Sequence, residues 1–133
     1  RARVPQLMLI DDDTDYTSVL SGFMEQRGYL VETSQLVPGL MEDILRHKPT
    51  LLLMSMSSQK PEAIQLIREI NDHSELSDMS LFVITGCVDA ENALDQDICG
   101  RIDGFFLKPV SPSFLLSRIS EELLKGQMAS VFR

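Results

Sequence analysis

The chain has no tryptophan, and only two tyrosines, two cysteines and two histidines among its 133 residues. The cysteines, Cys87 and Cys99, have neither the spacing of a zinc site nor the density of a secreted disulfide scaffold, and they read as core or loop thiols. Cationic side chains are scarce too: 12 Lys and Arg stand against 20 Asp and Glu, for a net charge of -8. A field of that sign, with no basic patch to interrupt it, repels nucleic acid and anionic lipid. Long apolar runs are also missing. The longest, at 7–10, 51–54 and 81–84, fall far short of the roughly 20 residues that cross a bilayer. The opening Arg-Ala-Arg-Val-Pro-Gln lacks a signal-peptide core. These absences lead to the expectation of a soluble protein in a reducing, cytoplasmic setting that contacts neither nucleic acid nor membrane. The first residue is Arg, not Met, as in a processed chain or a segment of a longer one.

What is present is enough apolar material, 44% of residues, for one ordinary domain with its own core. A single domain over 1–133 is expected, with its core at about 6–126. Short apolar blocks at 7–10, 29–31, 51–54 and 81–84 alternate with segments of helical periodicity, and a fifth strand is expected at 104–107. Such alternation predicts a parallel sheet. The third and fourth blocks are apolar at every position, as strands covered on both faces must be. The expected fold is therefore α/β, a doubly wound five-stranded parallel sheet in a three-layer αβα sandwich with (βα)5 order.

The helices follow from stripe and cap signals. Tyr16, Val19, Leu20, Phe23 and Met24 share one helical face, with Thr14 as N-cap and Gly28 as stop. Pro38 opens a second helix with Leu40, Met41, Ile44 and Leu45 inward, closed by Pro49; Pro61 opens a third with Ala63, Ile64, Ile67 and Ile70 inward. A fourth is expected over 89–99 on Ala90, Ala93, Leu94 and Ile98. Ser111-Pro112 starts the last, with Leu115, Leu116, Ile119 and Leu123 inward and a frayed tail after Gly126.

In a doubly wound sheet the chemistry sits beyond the carboxyl ends of the strands. There the sequence places Asp11, Asp12 and Asp13 after the first block, Ser55 after the third, Thr85 and Gly86 after the fourth, and Lys108-Pro109 after the fifth. This ordered set resembles the CheY-like receiver domain of two-component response regulators, over about residues 7–125. Asp11 and Asp12 match that family's acidic pair, Lys108-Pro109 its lysine and proline, and Thr85 its switch residue. Phe105 stands where the family has a rotating aromatic, and Ser55 falls in register with the phosphoaccepting aspartate.

Position 55 departs from the family. The chemistry that the resemblance implies needs a carboxylate there to attack a phosphoryl group, with Mg²⁺ held by that carboxylate and the acidic pair. A serine hydroxyl stays un-ionised near neutral pH without a neighbouring base, and His47 and His73 belong to the far ends of the second and third helices. The next acids, Glu62 and Glu69, end no strand. In the following loop, Ser57-Ser58-Gln59-Lys60 lacks the family's usual proline, and Ala63 replaces its glycine. The reading is a pseudo-receiver of two-component or phosphorelay signalling, not an enzyme. It would act as a phosphorylation-independent module on a histidine kinase, an output domain or regulator, or a second copy in a homodimer, through the face formed by the fourth helix, fifth strand and last helix.

Other readings stand beside it. Asp11 and Asp12 are either a weak or vestigial Mg²⁺ site or a solvated turn favoured by the helix dipole; Asp13 fits a first-turn acid. Lys108 is expected to pair with Asp11 or Asp12. Phe105 is either edge-strand packing or the centre of the partner face. A working receiver using Asp12 or Ser55 as acceptor is the first alternative. A flavodoxin-like small-molecule binder is the second, opposed by the lack of a glycine-rich phosphate loop after the first strand. A hydrolase built on Ser55 lacks a base.

Overall fold

The structure, a computed structural model, describes residues 4–11, 14–56, 61–86 and 96–131. The expectations placed on Asp12, Asp13, the 57–60 loop, Cys87, Ala90, Ala93 and Leu94 lie outside the described residues. Five strands are present: β1 (Gln6–Ile10), β2 (Leu30–Ser34), β3 (Leu51–Met56), β4 (Ser80–Thr85) and β5 (Gly104–Leu107). They form one parallel sheet in the order β2-β1-β3-β4-β5. The described helices are α1 (Thr14–Gln26), α2 (Leu40–His47), α3 (Pro61–Asp72), α4 (Gln96–Arg101) and α5 (Pro112–Val131), with a 3-10 turn at Ser74–Leu76.

The central strands are buried on both faces, as continuous apolar runs require. Side chains alternate across the sheet, so each strand feeds two cores. Met8, Ile10, Leu52, Met54, Leu81 and Val83 pack with α2, α3 and Ile98 of α4. Leu7, Leu9, Leu51, Leu53, Phe82 and Ile84 pack with α1 and α5. The doubly wound, three-layer expectation holds.

Pairing sets the strand ends. Ser55 pairs with Ile84, and Met56 with Thr85, so β3 runs past the apolar block and Ser55 lies within the strand, not after it. The whole of β2, its polar half 32–34 included, pairs with β1 from Gln6↔Leu30 to Ile10↔Ser34, so the expected 29–31 block becomes Leu30–Ser34. Backbone hydrogen bonds carry an edge strand through residues that apolarity does not mark.

In α1, Leu20 and Met24 are buried, whereas Val19 and Phe23 are exposed. The inward stripe is narrower than the sequence suggests because one side of the helix faces solvent. Gly28 does end it: with φ +88, Gly28 N–H donates to Glu25 O at 3.0 Å and Tyr29 N–H to Met24 O at 3.2 Å, a closure that uses the left-handed region open to glycine. Leu66 joins the expected inward residues of α3, while Ile64 packs only partly buried against that core. α4 extends beyond Cys99 to Arg101. α5 does not fray at Gly126 but continues to Val131, since a single glycine inside a helix costs only about 1 kcal/mol relative to alanine.

Gly104 is required by close approach. A Cβ there would sit 2.8 Å from two ring carbons of Phe82 and 3.0 Å from Phe106, whose rings pack tilted at a centroid distance of 5.3 Å. Beside it, the Arg101 guanidinium donates to Leu76 O at 2.9 Å and Met79 O at 2.8 Å. Asp103 Oδ2 accepts from Leu81 N–H at 2.8 Å. Together these bonds tie α4 and β5 to the amino end of β4.

Candidate functional site

Parallel strands place all their carboxyl ends on one rim. Asp11 follows β1 directly, its N–H donating to Ser34 O at 3.1 Å, which holds it one step past the Ile10↔Met54 pair and so beside Ser55. Lys108 follows β5, its N–H donating to Thr85 O at 2.7 Å. The Lys108–Pro109 peptide is cis.

Three side chains converge there. Lys108 Nζ lies 4.0 Å from Asp11 Oδ2, too long for a hydrogen bond but within ion-pair range. The Asp11 carboxylate is 3% exposed and Lys108 23%, so the attraction acts with less solvent screening than at the surface. The same ammonium stands 4.9 Å from the centroid of the Tyr16 ring, a cation–π arrangement. Burial first, and the Asp11 carboxylate second, raise the Tyr16 phenol above the usual tyrosine range.

Ser55 is different. The residue is partly exposed, yet its Oγ is inaccessible to water and meets no hydrogen-bond partner among the described residues. Thr85 is fully buried at the end of β4. His47 sits at the opposite rim, its Nδ1 2.9 Å from Asp43 O, and His73 precedes the 3-10 turn; neither approaches Ser55.

Of the positions singled out from sequence, Asp11, Ser55, Thr85 and Lys108 thus gather on one rim. Phe105 does not join them: it packs half-buried against the α2–α4 core. Tyr16 was legible only as an apolar-face residue, and its place one helical turn after the acid run is the signal that would have found it. On the other side of Asp11, a cleft of about 300 Å³ opens between α1 and β2, lined by hydroxyls including Thr17, Ser18, Ser21 and Ser34.

A Mg²⁺ ion takes oxygen ligands, chiefly carboxylates. The described residues offer one carboxylate, Asp11, with an ammonium beside it, and one neutral hydroxyl, Ser55. Among them no group of three or more His, Cys, Asp or Glu converges. The second acid that the sequence assigns to such a site, Asp12, lies outside the described residues. No described helix is long and apolar enough to cross a membrane.

No family model matches the chain. It is similar to two transcriptional regulatory proteins. One is YxdJ of Bacillus subtilis (strain 168), 21% identical over 121 residues, covering 91% of this chain and 51% of that protein. The other is AruR of Pseudomonas aeruginosa (strain PAO1), 28% identical over 122 residues, covering 88% and 48%. The chain spans about half the length of these curated relatives. Among solved structures it resembles a CheY-like response regulator receiver domain protein from Methanospirillum hungatei JF-1, with TM-score 0.80, 24% identity, and coverage of 96% of this chain and 99% of that one. It also resembles a response regulator receiver modulated diguanylate cyclase from Pelobacter carbinolicus, with TM-score 0.77, 24% identity, and coverage of 96% and 98%. These likenesses establish the flavodoxin-like receiver fold.

Proposed function

We propose that the chain is a single pseudo-receiver domain of a two-component or phosphorelay pathway, one that works by protein contact without accepting phosphate and performs no catalysis of its own. The observation that carries this reading is Ser55. At the strand end where receiver chemistry needs a carboxylate, its hydroxyl is shut off from water and meets no hydrogen-bond partner among the described residues, so it lacks the charge, and among those residues the hydrogen-bonded proton acceptor, that attack on phosphorus requires. Lys108 stands 4.0 Å from Asp11 in a contact that needs no phosphoryl group. Thr85, buried at the end of β4, is the idle equivalent of the switch residue.

The partner face is α4-β5-α5. Leu107 and Phe114 are each about half exposed there, and with Phe105, Phe106, Val110 and Arg118 they line a hollow of about 450 Å³. Phe106 packs edge-on to Phe114 and lies under the Arg118 guanidinium, an aromatic and arginine composition typical of interface centres. Its occupant is a histidine kinase, an output domain or regulator, or a second copy, in a cytoplasmic setting.

The test is intact-protein mass after incubation with acetyl phosphate and Mg²⁺, run beside Ser55→Asp. The expected result is no added phosphate on the native chain and one phosphate on the variant. A phosphate on the native chain, located by peptide mapping, overturns the proposal.

A further inference from the structure

The layer opposite α1 and α5 carries a second feature that the site at the strand ends does not use. Between α2 and α3 runs a groove of about 460 Å³. Its floor is apolar: Leu40 and Leu66 are buried, Leu36 and Met41 are partly buried, and Val37 stands 47% exposed at its mouth. Its rim is acidic. Glu42, Glu62 and Glu69 line it, and the described lining includes no Lys or Arg. None of these three carboxylates is in an ion pair with a described cation; Arg46 of α2 pairs with Asp43 and Lys48, just past α2, lies near Glu75, and Arg68 of α3 does not line the groove.

An apolar slot between two helices takes the apolar face of a third, read as anchors one turn apart. Which segment fits is decided here by charge. Three like charges around the slot repel an acidic segment and attract a basic one, and the net charge of -8 on the whole chain extends that attraction into solution. A methionine in the lining suits anchors of varied shape. We propose that the α2–α3 groove docks a cationic amphipathic helix of a protein partner. Its apolar residues occupy the slot beside Val37 and Met41, and its Lys or Arg side chains lie against Glu42, Glu62 and Glu69. This goes beyond the pseudo-receiver reading and does not depend on it, because neither Ser55 nor any residue of the hollow at Leu107 and Phe114 lines the groove. A domain with both surfaces bridges two partners.

The probe is a labelled model helix of leucine and lysine with one apolar face, compared with its leucine and glutamate counterpart. Binding is read by fluorescence anisotropy, and its place by backbone amide shifts of the isotope-labelled full chain. The expected result is that the lysine helix binds, the glutamate helix does not, and the largest shifts cluster at 36–42 and 62–69. Glu62→Lys with Glu69→Lys weakens binding at least tenfold, Val37→Asp does so as well, and Glu121→Lys on α5 changes it less than twofold. All these positions are exposed or rim residues, and unchanged circular dichroism verifies the fold of each variant. Shifts spread over the acidic surface, or equal weakening by Glu121→Lys, overturn the proposal, as does absence of binding. Phosphate uptake by the native chain would end the pseudo-receiver reading and leave this one standing.

Discussion

Lys108 and Asp11 meet at 4.0 Å although their strands, β5 and β1, are separated in the sheet by β4 and β3. The lysine stem spans the rim over the ends of the two central strands, and Asp11 is 3% exposed at the far side of that span. A buried carboxylate that loses its cation is costly, whereas removing both charges together is nearly neutral. Lys108→Met is therefore expected to destabilise the fold by about 1–3 kcal/mol, and Lys108→Met with Asp11→Asn by less than the sum of the single changes. Urea denaturation of the four chains measures the coupling. Additive effects would mean that the contact contributes nothing.

Ser55→Ala is expected to be neutral or to stabilise by up to about 1 kcal/mol, since it removes a buried hydroxyl that meets no partner among the described residues. A loss of more than 1 kcal/mol in the same assay would show that the hydroxyl is satisfied in solution.

The Tyr16 phenol is held above the usual tyrosine range by burial and by Asp11. A raised folded-state value means that between the unfolded and folded values the native state keeps a proton that the unfolded chain has lost, so stability falls as pH rises through that window. Below the unfolded tyrosine value, about 10, the contribution is fully present. Tyr16→Phe is expected to flatten this alkaline decline. With no tryptophan and only one other tyrosine, phenolate absorbance follows the ionisation directly, and a Tyr16 step at or below the unfolded value would exclude the stated environment.

Gly104→Ala is expected to cost about 1–3 kcal/mol, because its methyl would enter the space of the Phe82 and Phe106 rings and force them apart. Thermal unfolding checks it, and an unchanged midpoint would mean that the rings yield freely.

The fold was legible because apolar blocks at strand length alternate with helical stripes, and Pro61, Gly28 and Ser111-Pro112 mark boundaries by backbone chemistry. The rim was legible as well, since in a parallel sheet the residues at and just past each strand end have only one place to go: Asp11 and Lys108 follow their strands, Thr85 ends β4, and Ser55 lies one residue before the end of β3. Interactions between polar groups on different elements were not legible. Arg101 reaching Leu76 O and Met79 O, and Tyr16 beneath Lys108, depend on distances that no periodicity encodes. The exposure of Val19 and Phe23 is not encoded in the stripe, because a helical wheel gives the width of an apolar face but not how much of it a neighbour covers.

The sheet also acts as a partition. Ile67 and Ile119 serve cores on its opposite faces, with backbone pairing, not shared side chains, between them, and substitutions without shared partners add. Each compartment can be repacked while the other stays as it is. The α2–α3 surface and the α5 surface therefore have separate mutational histories open to them, and an engineer could retune what one side holds without disturbing the other.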